Sequence, residues 1–208
     1  MSRHICYLAN AASIHTVRWA NYFAEHGWKV DLITWHPLNK GAKIHPDIAM
    51  HRILFPPHYI ARYGALLEIA LLMRKIRPDI IHAHYLSRCF FRFFFSSRLS
   101  GFRPIVMTAW GSDVLIDARG WKKQLIKYAL KKADCVTCDG ENVIGVLTEL
   151  GANPEKISLS YFGTDTRKFS PEQRSEKLRE ELGILNSPVI ISLRGLKPLY
   201  DVESLINA

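Results

Sequence analysis

The chain has 208 residues, a formal net charge of +9 and a hydrophobic fraction of 48%. This length fits one ordinary domain with some excess, and the apolar content excludes a disordered chain. The positive charge favours anionic partners such as nucleotide phosphates, acidic lipid headgroups or nucleic acid, without choosing among them. No apolar run reaches the roughly 18 residues of a membrane-spanning helix, and the N-terminus does not resemble a signal peptide, so we expect a cytoplasmic protein.

Short apolar runs with the character of buried strands alternate with helical patterns along the chain. Seven strands are predicted, at residues 5–9, 29–34, 48–54, 79–84, 104–109, 135–138 and 156–160. The helices predicted between them cover residues 15–26, 56–77, 86–100, 121–132 and 141–150. Strands that alternate with helices predict right-handed βαβ units. The predicted fold class is therefore α/β, with a doubly wound, Rossmann-like parallel sheet.

A charged segment, residues 166–187, separates this sheet from a second strand-like run. Ser170, Pro171 and Gln173 predict the start of a connector helix, because they fit a helix cap, the first helical position and a capping box. Residues 188–193, PVIISL, then predict a buried strand that a turn and a helix start follow. The sequence is thus divided into a Rossmann-like domain over 1–165, a connector over 166–187 and the beginning of a second domain over 188–208.

Several known binding motifs are missing from the loops that follow the predicted strands, where ligands of open parallel sheets bind. The loop after the first strand lacks the glycines of a dinucleotide fingerprint, and no GxxxxGK[ST] phosphate loop occurs. No Asp-x-Asp pair is present either, which weakens a metal-dependent nucleotide-sugar site. His82 and His84 share a strand face, but no third zinc ligand has a supporting spacing, so one packed and one pocket histidine are favoured.

Four blocks of the sequence, in this order and spacing, resemble glycosyltransferase family 4. They are RPDIIHAHY, PIVMTAWGSDVL, ADCVTCDGENVIGVLTELGANPEKISLSYFGTDTRKFSP and VIISLRGLKPLYDVESLINA. In the third block, Gly163, Asp165, Phe169 and Pro171 match the pattern of the family, while residues 161–162 replace its usual Pro-Asn. The resemblance implies one half of a GT-B architecture, namely the acceptor-side domain with the start of the donor-side domain.

The resemblance also implies an activity. Family members transfer a sugar from a nucleotide-sugar donor with retained anomeric configuration, here to a glycan or lipid-linked saccharide, and need no metal or other cofactor. Arg194 stands where the family places an arginine on the donor phosphates. The usual lysine of the next turn is replaced by Tyr200, so Lys197 is either its substitute or a solvated turn residue. Because the rest of the donor domain would follow Ala208, we expect this chain alone to be inactive.

Three side chains are candidates for the catalytic centre. Trp110 stands where the family often has a histidine that contacts the transferred sugar, and it either stacks on a sugar ring or caps the core. Asp113 is either an acceptor for sugar hydroxyls or a cap for the following turn. His84, at the end of the fourth strand, is the expected pocket histidine. Gly111, in the same loop as Trp110, is expected to bind substrate.

Further substrate-binding candidates follow other strands. Ser13 and His15 precede the first helix, where backbone N–H groups can face an anion, although Ser13 also fits a plain helix cap. Gly163 and Asp165 are expected to bind substrate in the block that matches the family.

Two segments predict macromolecular contacts. Residues 119–132 combine six basic residues with Trp121 and Tyr128, which is typical of a helix on an anionic membrane surface. The alternative function is therefore a non-catalytic, GT-B-like half that binds such a surface or a partner protein. No nucleic-acid motif occurs, so no nucleic-acid partner is expected. The apolar residues of 188–208 would stay disordered, fold back on the first domain or pair with the same segment of a second chain, and the third alternative, a homodimer, is favoured.

Overall fold

The computed structural model describes residues 3–54, 61–86, 101 and 104–208. These residues form two compact units, Met1–Phe162 and Gly163–Ala208, which are treated separately below. The first unit contains every described strand, whereas the second contains only short helices.

The first unit is built on one parallel sheet of seven strands. The strands are β1 (His4–Leu8), β2 (Lys29–Thr34), β3 (Ala49–Arg52), β4 (Ile80–His84), β5 (Ile105–Ala109), β6 (Cys135–Cys138) and β7 (Ile157–Leu159). Their spatial order is β3-β2-β1-β4-β5-β6-β7, and every neighbouring pair is parallel. All seven predicted strands and the predicted fold class are confirmed.

The order of the strands reverses between β1 and β4. The chain runs outward from β1 to β3 on one side, then returns to β4 and continues outward to β7 on the other. In the shared register Tyr7 lies beside His82. In open α/β sheets the crevice beyond the carboxyl ends of the strands at such a reversal is the usual place for a ligand.

Five helices flank the sheet in the described part of the first unit. They are α1 (Ile14–Glu25), α2 (Ala61–Ile76), α3 (Ser112–Leu115), α4 (Gly120–Lys132) and α5 (Glu141–Glu149). Helix α1 ends where Gly27 adopts a φ of +78°, a left-handed conformation that glycine accepts without strain. The predicted helix over residues 86–100 lies outside the described residues except for Leu86. No described helix is long and apolar enough to cross a membrane.

The core lies on both faces of the sheet because alternate strand residues point to opposite sides. Cys6 and Leu8 of β1 pack with α2, while Tyr7 of the same strand packs with α1 on the other face. A third apolar cluster joins β5 and β6 to α4 and α5. Burial on both faces explains why the strands have near-continuous apolar sequences.

The second unit has two helices, α6 (Glu176–Glu181) and α7 (Val202–Asn207), and two 3₁₀ turns, Pro171–Gln173 and Pro198–Tyr200. The prediction that one connector helix starts at Ser170 is wrong, since the backbone leaves the helical region at Arg174. Helix α6 begins instead after Ser175, whose hydroxyl accepts a hydrogen bond from the Leu178 N–H group at 3.2 Å.

The predicted strand over residues 188–193 is absent. This segment forms no strand, and Ile190, Ile191 and Leu193 are 82%, 73% and 93% exposed. A strand needs a neighbour for its N–H and C=O groups, and the second unit contains no described strand that could pair with this one. Apolar, β-branched character is therefore not sufficient to form a strand here.

Candidate functional site

The main candidate site lies at the carboxyl ends of β1, β4 and β5, where the strand order reverses. His15 is the second residue of α1, which follows β1. His84 is the last residue of β4, and Trp110 directly follows β5. Three segments that are distant in sequence thus meet at one edge of the sheet, as the predicted strand ends required.

Three rings contact one another at this edge. The ring centroids of His15 and Trp110 are 4.7 Å apart, and their planes are tilted by only 26°. Phe162, the last residue of the first unit, lies 4.7 Å from His15 and 4.6 Å from Trp110. The guanidinium carbon of Arg18 is 5.9 Å from the centre of the Phe162 ring. We call His15, Trp110 and Phe162 the ring cover.

A second group of rings contacts the cover at Trp110. The centroid of His84 lies 5.5 Å from that of Trp110, with the ring planes at 72°. His84 also contacts Tyr7 at 5.4 Å and His82 at 4.7 Å, both at steep angles. Trp19 of α1 contacts both histidines. The predicted division into one packed and one pocket histidine is not seen as a difference in burial, since both imidazoles are buried.

Burial keeps the imidazoles of this site neutral. It lowers the pKa of His82 to about 3. Burial also holds the pKa of His84 well below its ordinary value, and the neighbouring His82 and His15 add to that effect. The pKa of His15 is lowered by partial burial and by Arg18, while Asp139 opposes the change. A site of three neutral imidazoles can exchange hydrogen bonds but carries no fixed charge on its histidines.

The two buried histidines differ in their hydrogen bonds. Nε2 of His82 shares a hydrogen bond with Oγ1 of Thr108 at 2.7 Å, and Thr108 shares another with Oγ1 of Thr137 at 2.7 Å. Within the described part of the chain, neither ring nitrogen of His84 has a hydrogen-bond partner. The Tyr7 hydroxyl and Nδ1 of His15 also lack one. Four buried polar atoms without a partner are therefore concentrated around this one site.

Asp113 connects the loops that carry His84 and Trp110. The carboxylate of this fully buried residue accepts a hydrogen bond from the Leu86 N–H group at 2.7 Å and another from the Trp110 N–H group at 2.9 Å. Burial raises its pKa to about 6, although these backbone hydrogen bonds act in the opposite direction. Asp113 therefore positions the two loops, and it does not occupy the cap position of the following turn, which is Gly111.

The remaining predicted residues of this edge have backbone roles. Gly111 has a φ of +83° and precedes α3, a conformation that other residues rarely adopt. Ser13 occupies the cap position of α1, but its side chain makes no capping hydrogen bond. Tyr85, which follows His84, has a φ of +69°. Such strain in a bulky residue costs about 1–3 kcal/mol and is commonest at functional sites.

Four predicted residues belong to the second unit. The exposed Asp165 accepts hydrogen bonds from the backbone of Arg167 and Lys168 at 3.1 and 3.3 Å, which closes a local turn. Gly163 precedes this turn and is exposed. The Arg194 guanidinium lies 5.5 Å above the Tyr200 ring, and the exposed Lys197 precedes the 3₁₀ turn that contains Tyr200. Arg194 and Lys197 thus both precede one 3₁₀ turn, and their role at the donor phosphates stays a prediction.

Sequence analysis missed Tyr7 and Phe162 as members of the site. Tyr7 lies inside an apolar strand, where its hydroxyl gives no signal until the neighbouring strand is known. Phe162, three residues after β7, differs from the family pattern at its position, and its aromatic character is the signal that could have identified it. Among the described residues, no group of three histidine, cysteine or acidic side chains could hold a metal ion.

The sequence profile of the glycosyl transferase 4-like family matches residues 4–140. This match covers more than half of the chain and includes Tyr7, His15, His84 and Trp110. The chain therefore belongs to that family. A search of curated proteins found no match.

Solved structures agree on the fold. Alr3699/HepE from Anabaena, in complex with UDP and glucose, superposes with a TM-score of 0.73 at 16% identity, covering 99% of this chain and 57% of that one. A glycosyltransferase from Rickettsia africae superposes with a TM-score of 0.68 at 16% identity, covering 91% of this chain and 51% of that one. A UDP-N-acetylglucosamine 2-epimerase from Rickettsia bellii superposes with a TM-score of 0.60 at 13% identity, covering 88% of this chain and 52% of that one.

At these identities the likeness shows the fold alone. It confirms that the chain has the Rossmann-like fold of a GT-B half-domain, as the resemblance implied. The chain spans about half the length of the solved structures that it matches.

Proposed function

We propose that this chain is the acceptor-side part of a glycosyltransferase that takes a sugar from a nucleotide-sugar donor. The observation that supports this most is the overlap of the family match with the site: residues 4–140 contribute Trp110 and the neutral histidines at the reversal of strand order. The similar Anabaena protein was solved with UDP and glucose, which favours a nucleotide-sugar donor. We further propose a retaining reaction with a glycan or lipid-linked saccharide as acceptor.

The leaving phosphate of such a donor needs positive charge rather than a proton. Arg194 and Lys197 are our candidates for that role, and both lie beside Tyr200 in the second unit. With two cations for this purpose, we propose that the reaction needs no metal ion or other cofactor.

Transfer of a radiolabelled sugar tests the proposal. The 208 residues joined to a donor-side domain should transfer label from at least one member of a panel of nucleotide sugars, and the 208 residues alone should not. In the joined protein, Arg194→Gln should lower the transfer rate, while Arg167→Gln in the exposed turn near Asp165 serves as the matched control. Absence of transfer by the joined protein with every donor and with both glycan and lipid-linked acceptors would contradict the proposed function.

A second candidate function is the binding of an anionic membrane surface from the cytoplasmic side. Helix α4 exposes Trp121 at 70% and Tyr128 at 42%. The same segment carries six basic residues, namely Arg119, Lys122, Lys123, Lys127, Lys131 and Lys132. Each cation near an anionic surface contributes about 1 kcal/mol at low salt. This surface is compatible with the transferase, because it would bring the enzyme to a lipid-linked acceptor.

Co-sedimentation with vesicles tests this surface. The chain should sediment with vesicles that contain anionic lipid at low salt and be released by added salt. Lys123→Glu together with Lys127→Glu should remove most of the binding, while Lys177→Glu in α6 should not. Equal binding to neutral and anionic vesicles would contradict an electrostatic surface.

We also propose that residues 188–208 pair with the same residues of a second chain. Ile190, Ile191 and Leu193 support this, because they are exposed and strongly apolar. Light scattering should then report a dimer for the full chain and a monomer after deletion of 188–208. Monomers in both cases at high concentration would exclude this pairing.

A further inference from the structure

We propose that Tyr85 is a positioning residue of the site, whose ring and strained backbone hold the loop after β4 against α3. The two amides that Asp113 binds come from this loop and from the loop of Trp110, and the arrangement keeps Trp110 against His84. The importance of this arrangement for catalysis rests on the proposed function, whereas the arrangement itself does not.

The first reason is that the backbone strain of Tyr85 is not that of a helix end. Among the described residues, three that are not glycine have a positive φ, namely Arg77, Tyr85 and Asp201. Arg77 follows α2, and its N–H group donates to the Met73 carbonyl at 2.8 Å, which is the usual left-handed end of a helix. Tyr85 follows a strand instead. Its conformation is unfavourable for a residue with a side chain and persists only where the surrounding structure fixes it.

The second reason is the position of the tyrosine hydroxyl. A glycine would adopt this conformation without strain, so the side chain must contribute contacts that offset the cost. The hydroxyl lies 3.2 Å from Oγ of Ser112 and donates to Oδ2 of Asp117 at 3.5 Å. Ser112 is the first residue of α3, and Asp117 lies two residues after its end. The half-buried ring of Tyr85 therefore joins the loop after β4 to both ends of α3.

The third reason is the set of backbone hydrogen bonds that hold the same loop. The N–H group of Tyr85 donates to the Thr108 carbonyl at 3.1 Å. The next N–H group, that of Leu86, donates to the buried carboxylate of Asp113, which also accepts from the Trp110 N–H group. Hydrogen bonds to an ionised acceptor are stronger than those between neutral groups. The turn at Tyr85 thus directs one amide toward the carboxylate that holds Trp110.

These contacts connect Tyr85 to the rings of the site. His84, which directly precedes Tyr85, ends β4, and its ring centroid lies 5.5 Å from that of Trp110. If Tyr85 relaxed to a negative φ, the Leu86 N–H group would turn away from Asp113, and the loop of Trp110 would lose one attachment to the loop after β4. Tyr85 therefore acts through Asp113 and Trp110, which makes it a positioning residue and not a catalytic one.

The stability of alanine and glycine variants tests the strain. Both substitutions at Tyr85 remove the ring, but only glycine accepts the positive φ freely. In urea denaturation, Tyr85→Gly should therefore have an unfolding constant roughly fivefold lower than that of Tyr85→Ala. Tyr128, in the interior of α4, is the matched control. There the glycine variant should be less stable than the alanine variant by a similar factor, since helix interiors disfavour glycine.

Nuclear magnetic resonance of the full 208-residue chain tests the positioning. Tyr85→Phe keeps the ring and the strain and removes only the hydroxyl contacts. Nuclear Overhauser contacts between the ring protons of His84 and Trp110 should weaken. The Leu86 and Trp110 amides should exchange roughly three- to tenfold faster than in the wild type, because one hydrogen-bonded attachment of their loops is lost. Tyr128→Phe is the matched control and should leave both readouts unchanged.

Three results would overturn the inference. One is that Tyr85→Ala is as stable as Tyr85→Gly. Another is that the wild type lacks the strong contact between the amide and α protons of Tyr85 that a positive φ produces. The third is that a folded Tyr85→Phe chain keeps the wild-type contacts between His84 and Trp110. The second result needs no variant, so it remains decisive if a substitution unfolds the protein.

Failure of the proposed function looks different. If the 208 residues joined to a donor-side domain transfer no sugar, the proposed function is contradicted, while the stability and resonance results for Tyr85 stand. In an active joined protein, Tyr85→Phe should lower kcat severalfold, because a small displacement of positioned groups slows the reaction. An unchanged kcat would contradict the role of Tyr85 in the reaction and leave the transferase intact.

Discussion

The two units of the chain use similar apolar sequences with opposite results. IIHAH in β4 and IVMTA in β5 lie within the sheet, whereas VIISL in the second unit forms no strand and exposes its large side chains. The difference is the presence of neighbours, because each inner strand of the first unit pairs on both edges and packs on both faces. An apolar sequence thus shows that a segment can be buried, whereas the formation of a strand depends on neighbouring strands and helices that pair and pack with it.

The largest expected effect comes from a pair of matched isoleucines. Ile33 of β2 is fully buried, and Ile191 is 73% exposed. Ile33→Ala should lower the free energy of unfolding by about 2–5 kcal/mol, because it leaves a cavity in a packed core. Ile191→Ala should change it by less than about 0.5 kcal/mol. Urea denaturation of both variants measures the contrast, and similar losses would show that the second unit buries residue 191.

Two aspartates make the same comparison for hydrogen bonds. Asp113 and Asp165 each accept two backbone N–H groups, but only Asp113 is buried. Asp113→Asn should cost about 1–3 kcal/mol, because the amide can accept from one N–H group and leaves the other without a partner. Asp165→Asn should cost only about a few tenths of a kcal/mol, since Oδ1 alone accepts both N–H groups and the exposed amide oxygen can keep them. Urea denaturation of both variants measures these losses of stability, and equal losses would exclude burial as the cause of the difference.

The acid response should come from the first unit, which contains all nine histidines. Burial lowers the pKa of His82 to about 3, so the unfolded chain takes up the proton first as the pH falls below 6.5. This residue should therefore remove about 2 kcal/mol of stability between pH 7 and pH 5. Between pH 7 and pH 5, the wild type should therefore lose about 2 kcal/mol more stability than His82→Gln. Parallel losses in the two proteins would contradict the assignment.

Asp113 changes in the opposite direction over the same range. Its folded pKa of about 6 lies above the ordinary value of 3.8, so the folded state takes up this proton first and gains stability on acidification. Comparing His82→Gln with wild type, instead of following wild type alone, keeps this gain out of the result.

The smallest effect concerns two serines of the second unit. The Ser175 hydroxyl caps α6, and Ser170 makes no capping hydrogen bond. Ser175→Ala should destabilise α6 by about 0.5–1 kcal/mol. Ser170→Ala should leave the helix unchanged, because its buried hydroxyl has no partner among the described residues. Amide exchange of residues 176–181 measures both effects. Faster exchange in Ser170→Ala would show that the helix starts at Ser170, as the sequence predicts.

The strands were predictable from the sequence, but the site was predictable only in part. Local apolar runs and their breakers mark β1 to β7 because buried parallel strands have few polar residues. Positions at strand ends also placed His84 and Trp110 correctly at one edge. The contact of Phe162 with both His15 and Trp110 depends on segments nearly 150 residues apart, which no local pattern encodes. For Asp113, the role of joining two loops depends on a hydrogen bond from the Leu86 N–H group, which exists only in the folded chain.

Amide hydrogen exchange of the whole chain, with and without a saturating neutral glycoside, tests the central claim most directly. We expect slow exchange in β1, β4 and β5 and fast exchange at residues 188–193 in both samples. The glycoside should add protection to the loops that carry His15, Tyr85 and Trp110, and to few other amides. Added protection elsewhere in the first unit, or none at these loops, would contradict a ligand site at the reversal of strand order.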